Sequence, residues 1–192
     1  NDDRYYHLVL LAENETGYYN LMKIVSRGFT EGYYYKPRVD MELLEQYHEG
    51  IIALSACLAG EVQKNILRGM YGEAKVAACR YKDIFGEGNF FLELQDHGME
   101  EQKLVNQSLL RMSQETGIEL VATNDIHYTY ADDVKPHDIL LCIQTGKKLA
   151  DEDRMRYEGG QYYIKSEEEM RKLFPYAQEA IDNTQKLSLI HI

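Results

Sequence analysis

Basic residues are scarce. The 192 residues hold 21 Lys and Arg against 32 Asp and Glu, a formal net charge of −11. Phosphate backbones are gripped by Lys and Arg, so a chain this acidic is not by itself a strong nucleic-acid binder. Any DNA it meets must be held by another domain or by a local basic patch. Long hydrophobic runs are missing too: none approaches the roughly 20 apolar residues of a membrane span, and no signal-peptide pattern is present. Cysteine is limited to Cys57, Cys79 and Cys142, an odd number with no CxxC pair. That argues against a disulfide framework and fits a reducing compartment, so the expected location is cytoplasmic and the expected partners include no membrane. No GxGxxG or GxxxxGK loop follows an apolar run, which lowers the weight of nucleotide-binding folds, and no GxSxG elbow occurs.

What is present is an alternation. Continuous apolar runs at 6–12 (YHLVLLA), 51–57 (IIALSAC), 89–95 (NFFLELQ) and 118–122 (IELVA) read as buried strands. Between them lie helical patterns. Glu15 to Arg27 carries Tyr18, Leu21, Met22 and Val25 at helical spacing and is closed by Gly28. Met41–His48 is capped by Asp40 and stopped by Gly50. Glu61–Leu67 and Gly72–Phe85 follow, then Glu100–Thr116, expected to turn Leu104, Leu109, Leu110 and Met112 inward and to end at Gly117. Strand and helix alternating in this way predict an α/β fold with a parallel sheet and crossover helices, either doubly wound or part of a barrel. After Tyr128 the pattern changes to a helix ended by Gly146, a charged loop, a short strand at 161–166 and a helix opened by a Ser166…Glu169 capping box. This part reads as a connector towards something larger. Both ends look cut: Asn1–Arg4 run straight into the first strand, and Leu187–Ile192 (LSLIHI) looks like a non-native tail that continues no helical stripe. The expected division is therefore 1–130, 131–186 and 187–192.

In parallel α/β folds chemistry gathers at the carboxyl ends of strands. Here the second strand ends in Cys57, the third runs into Asp96 and His97, and the fourth delivers Asp125 and His127, two residues apart and so on one side of an extended chain. His7 sits at the beginning of the first strand, the wrong end for this pattern. A set of His, Cys, Asp and His suits Zn²⁺, Fe²⁺ or Mn²⁺. Plainer readings compete at each position. Cys57 can be a small buried hydrophobe, His7 a satisfied core histidine, His97 a turn residue, and Asp125–His127 an Asx-type turn with a surface histidine. His48 and His137 carry no assigned role. The tyrosines at 33–35, 162 and 163 fit packing better than base stacking in so acidic a chain.

The strings YYHLVLLAENETGYYNLMKIVS, YYYKPRVD, IIALSACLAGEV, FFLELQDHGMEEQ and VATNDIHY, in this order, resemble the polymerase and histidinol phosphatase (PHP) domain of bacterial C-family replicative polymerases, the DNA polymerase III alpha subunits. The resemblance reaches about Lys186. It implies part of a distorted seven-stranded β/α barrel, its N-terminal strands missing, whose strand ends hold up to three metal ions. Its metal ligands map onto His7, Cys57, Asp125 and His127, with Asp125 and His127 nearest the chemistry; the other ligands would lie upstream of Asn1. His97 would at most support a ligand, and Lys36 or Arg38 could help a phosphate approach. The implied functions are DNA synthesis by the parent polymerase, with magnesium in its polymerising part, and a metal-dependent 3′–5′ exonuclease or its structural remnant here. Zinc, manganese or iron would serve that site. DNA, the sliding clamp and a proofreading subunit are the implied partners. The alternatives are a free-standing phosphoesterase such as histidinol phosphatase, which the long segment after Tyr128 disfavours, and a non-catalytic scaffold. With its upstream ligands absent, the 192-residue chain alone is expected to be inactive.

Overall fold

The structure, a computed structural model, describes residues 5–190; Asn1–Arg4, His191 and Ile192, on which the sequence reading of the two ends partly rests, lie outside it. Three helices open on a side chain that satisfies free amides at their start. Asn14 Oδ1 accepts from Gly17 N at 3.0 Å to open α1 (Glu15–Thr30), and Asp40 Oδ1 accepts from Leu43 N at 2.9 Å to open α2 (Met41–Gln46). Helices α3 (Glu61–Leu67) and α4 (Tyr71–Phe85) follow strand β2 (Ile51–Leu54). Strand β3 (Phe90–Leu94) leads to α5 (Glu100–Thr116), which Gly117 ends at φ 71°. After β4 (Leu120–Ala122) come α6 (Val134–Thr145), α7 (Glu167–Leu173) with its reciprocal Ser166–Glu169 capping box, and α8 (Gln178–Ile190).

With β1 (Val9–Ala12), the strands form one sheet in the order β1-β2-β3-β4. The pairs β2–β3 and β3–β4 are parallel, as the alternation predicts, but β1 pairs β2 antiparallel, Val9 opposite Leu54 and Ala12 opposite Ile51. Alternation says that a helix separates two strands, not at which end the chain re-enters the sheet. Here α1, an extended stretch and α2 bring it back to the end where β1 finished, and Glu13 N donates to Gly50 O at 2.8 Å across that gap. The described residues therefore supply four strands of a mixed sheet; the seven-stranded barrel is not formed by them. The expected strand at 161–166 is reduced to a single parallel bridge, Tyr128 with Tyr163.

Burial corrects three expectations about faces. In α1 the core side is Gly17, Asn20, Ile24 and Gly28, while Tyr18, Met22 and Val25 are exposed. Gly28 does not end the helix. A Cβ there would stand 3.2 Å from Val39 Cγ1 and 3.3 Å from Arg38 O, so the missing side chain permits close packing against the following segment. In α5, Leu104 is 53% exposed, and the polar Gln102 and Asn106 share the buried face with Val105, Leu109 and Met112. The main core lies between the sheet and α3, α4 and α5, with Phe174 and Ala177 added from the α7–α8 junction and Ile181 from α8. On the alternate strand face, Ile52, Leu54, Phe91 and Val121 pack with Leu187 of α8. Leu187 thus lies within α8 and packs on the sheet, and Asn183 Nδ2 donates to Leu120 O at 2.7 Å, covering the open edge of β4.

Candidate metal and phosphoester edge

The antiparallel β1 changes what His7 can do. Its position at the start of β1 places it beside the carboxyl end of β2, where Nδ1 lies 3.5 Å from Cys57 Sγ. His7 N donates to Ala59 O at 3.1 Å, fixing the backbone there. Directly before Cys57, Ala56 adopts φ 64°, a left-handed conformation that costs a non-glycine residue on the order of 1–2 kcal/mol and swings the chain out of the sheet.

Asp125 and His127 meet by a different route from the one extended spacing predicts. They lie beyond β4, and Asp125 has φ 41°, so the chain turns there. The turn folds the imidazole back: Nδ1 donates to Asp125 O at 2.6 Å and stands 3.9 Å from Asp125 Oδ1. Donation from Nδ1 leaves the Nε2 lone pair available, the arrangement in which histidine commonly ligates metals. The Tyr157 ring packs on this imidazole at 4.2 Å between centroids, with Tyr162 at 5.6 Å and His137 at 5.8 Å. Burial, then the Asp125 and Cys57 charges, push the Tyr157 phenol up, so it stays protonated.

Beneath the edge lies a polar layer. His97 is buried, 3% exposed, and its neighbours settle its tautomer. Gln102 Oε1 accepts from His97 N at 2.7 Å, which turns Gln102 Nε2 towards His97 Nδ1 at 2.8 Å. Nδ1 is therefore the acceptor, and Nε2–H donates to Asn124 O at 2.9 Å, holding the residue before Asp125. The ring stacks on Tyr162 at 4.0 Å, and burial lowers its pKa, keeping it neutral. On β3, Glu93 is also buried. Burial raises its carboxyl above the usual range and the Asp125 charge adds to this, against hydrogen bonds from Thr123 and Gln95 and the pull of the nearby Ala56 N–H.

The four sequence-derived candidates come together as two pairs, His7 with Cys57 and Asp125 with His127, at the carboxyl end of the parallel strands. Among the described residues, no group of three or more His, Cys, Asp or Glu side chains is placed to hold one ion. Lys36 donates to Tyr5 Oη at 2.9 Å, and the Tyr5 ring stacks beside His7 with centroids 6.0 Å apart; Arg38 donates to Tyr34 O at 2.8 Å. Sequence reasoning missed Tyr157, which carries no local signal in a charged loop, and Glu93, whose signal was available: a carboxylate inside the apolar run FFLEL.

The PHP domain model matches residues 1–97. The chain belongs to the PHP domain family. His7 and Cys57 fall within the matched residues; Asp125 and His127 follow them. This PHP chain is 48% identical over 185 residues to the DNA polymerase III subunit alpha of Treponema pallidum, covering 96% of the chain and 16% of that relative. To the namesake of Deinococcus radiodurans it is 47% identical over 182 residues, 93% of the chain and 14% of the relative. To that of Thermus aquaticus it is 42% identical over 190 residues, 97% of the chain and 16% of the relative. The chain thus spans about 16% of the length of most of the curated relatives it matches. No helix among the described residues is long and apolar enough to cross a membrane.

Proposed function

We propose that this PHP chain is part of a bacterial DNA polymerase III alpha subunit, and that its strand-end edge contributes ligands to a divalent-metal site for phosphoester hydrolysis, acting as a 3′–5′ exonuclease on DNA. The observation that carries the chemical reading is the Asp125–His127 turn, which pairs a carboxylate with an imidazole whose Nε2 is unencumbered. The donor set suits zinc, manganese or iron: one thiolate, two imidazoles and one carboxylate. Its grouping in pairs means that each pair supplies two donors, half of a four-coordinate set, and the rest come from elsewhere in the parent polypeptide. A bound divalent ion would supply Lewis-acid stabilisation of charge growing on a phosphoryl oxygen. This chain's residues do the positioning. His127 is locked by its Nδ1–H bond, Asp125 is held from behind through Asn124 and His97, and Tyr157 covers the imidazole and restricts water on that side. DNA and the other replicase subunits, the clamp and proofreading subunit among them, are the partners of the parent on this reading, and the cytoplasm its location.

The test is the Asp125→Asn change in the complete polypeptide. Degradation of a mismatched primer terminus should be lost while the unfolding midpoint stays within a degree or two, because a strand-end ligand is removed and no core contact. Survival of chelator-sensitive degradation would sink the site assignment. A scaffold role is the second reading, favoured by the absence of a group of three ligands among the described residues. Metal analysis of the complete polypeptide separates the two: bound transition metal supports the enzyme, and none supports the scaffold.

A further inference from the structure

Behind Cys57 lies a cavity of about 10 Å³ lined by residues that include Ala56, Cys57, Gln63, Glu93, Gln95 and Asn106. That is room for one water molecule and nothing larger. Two of these residues carry buried acceptor oxygens with no hydrogen-bond partner, Gln63 Oε1 and Glu93 Oε2.

Their neighbours fix both orientations. Gln63 Nε2 donates to Ser55 Oγ at 2.7 Å and to Ala56 O at 3.0 Å. A carbonyl can only accept, so the amide cannot be flipped and its oxygen must face away. Glu93 Oε1 is already engaged, accepting from Thr123 Oγ1 at 2.5 Å and Gln95 Nε2 at 3.2 Å. Stranding two buried acceptors is costly, and a water molecule brings two donors. A divalent cation would be underserved there, since oxygen-ligated Mg²⁺ or Ca²⁺ draws about six or more ligands.

Glu93 also spans the site laterally. Its backbone N donates to Ser55 Oγ at 2.8 Å, two residues before Cys57, and its carboxylate takes the hydroxyl of Thr123, two residues before Asp125. From these contacts we infer that one buried water joins Gln63 Oε1 to Glu93 Oε2, and that Glu93 is a positioning residue tying the Cys57 end of β2 to the Asp125 end of β4. Neither statement depends on whether the edge binds metal.

High-resolution crystallography of the chain tests the water directly. A single peak within about 3 Å of both oxygens is expected; no peak, or one bonded to a single oxygen, overturns that half. Amide hydrogen exchange tests the tie. Ser55 N bonds Phe91 O and Thr123 N bonds Leu94 O at the strand ends, both at 3.0 Å, while Leu92 N bonds Glu119 O at 2.9 Å further down the sheet. Glu93→Leu removes the carboxylate that takes the Thr123 hydroxyl and should lower protection at Thr123 about tenfold, equivalent to about 1.4 kcal/mol of local opening. Ser55→Ala, which removes the acceptor of the Glu93 backbone N, should do the same at Ser55, and both should leave Leu92 within about twofold. Glu93→Gln, which keeps an oxygen and the shape, should restore the protection. An equal fall at Leu92, or no change at Ser55 and Thr123, would overturn the positioning role. Should Glu93→Leu fail to fold, Gln63→Met serves instead: the water peak should vanish and Ser55 protection fall selectively, and retention of both would count against the proposal.

Discussion

His7 Nδ1 stands 3.5 Å from Cys57 Sγ, fifty residues away in the chain, because β1 runs against β2. A parallel β1 would have put His7 at the opposite end of the sheet, far from any other candidate ligand. One reversal of strand direction therefore decides whether the amino-terminal histidine belongs to the strand-end chemistry. It also explains why His7, placed at the start of a strand in apparent conflict with the sequence pattern, still reaches the strand-end edge beside Cys57.

Grouping into two pairs has a consequence for metal binding. Two donors per ion are half of a tetrahedral set, so the chain alone should bind Zn²⁺ or Mn²⁺ weakly and show no chelator-sensitive DNA degradation. Titration calorimetry with Zn²⁺ is the measurement, with Cys57→Ser as control. Tight stoichiometric binding by the 192-residue chain, abolished by Cys57→Ser, would mean that the pairs close into one set and that the arrangement described above is wrong.

Leu187 is 6% exposed against Ile52, Leu54, Phe91 and Val121. Truncating a buried leucine removes transfer free energy and leaves a cavity, so Leu187→Ala should destabilise the chain by about 2–3 kcal/mol. Urea unfolding with an unchanged m-value would measure it. Leu189, at 58% exposure, is the internal comparison, and Leu189→Ala should cost less than about 0.5 kcal/mol. Equal, small effects at both positions would show that the segment from Leu187 onward does not pack as described.

The fold was legible where one residue type carries one meaning. Apolar runs marked β2, β3 and β4, the capping box at Ser166 marked α7, and Gly117 marked the end of α5. It was illegible where a residue serves a neighbour distant in sequence. Gly28 looked like a helix stop and is a packing surface for Arg38 and Val39. Gln102 and Asn106 stand outside the Leu104, Leu109, Leu110 and Met112 stripe and are buried, because the face they share covers strand ends that present polar groups. In the site, the residue types at 7, 57, 125 and 127 could be read off the chain. Their pairing depended on the direction of β1 and on the turn at Asp125, and Tyr157 depended on a loop path; local sequence encodes none of these.

The neutral state of His97 gives the site a pH signature. Burial lowers its pKa below the ordinary 6.5, so the folded chain resists a proton that the unfolded chain accepts. Its contribution is present above about pH 6.5 and is lost as pH falls through that value towards the lowered folded-state pKa. Protonating Nδ1 would set it against the Gln102 Nε2 donor. His137 is lowered in the same direction, by burial and then by His127, and adds to the same window. His97→Phe keeps a ring against Tyr162 but strands Gln102 Nε2 and Asn124 O, and should cost about 2–4 kcal/mol at pH 8. Its stability should also fall less steeply below pH 6.5 than that of the parent chain; the residual slope combines His137, in the same direction, with Glu93, whose raised carboxyl favours the fold as pH falls. Urea midpoints from pH 8 to pH 5 provide the comparison. An unaltered slope in His97→Phe would show that His97 titrates freely and does not hold Asn124 in place behind Asp125.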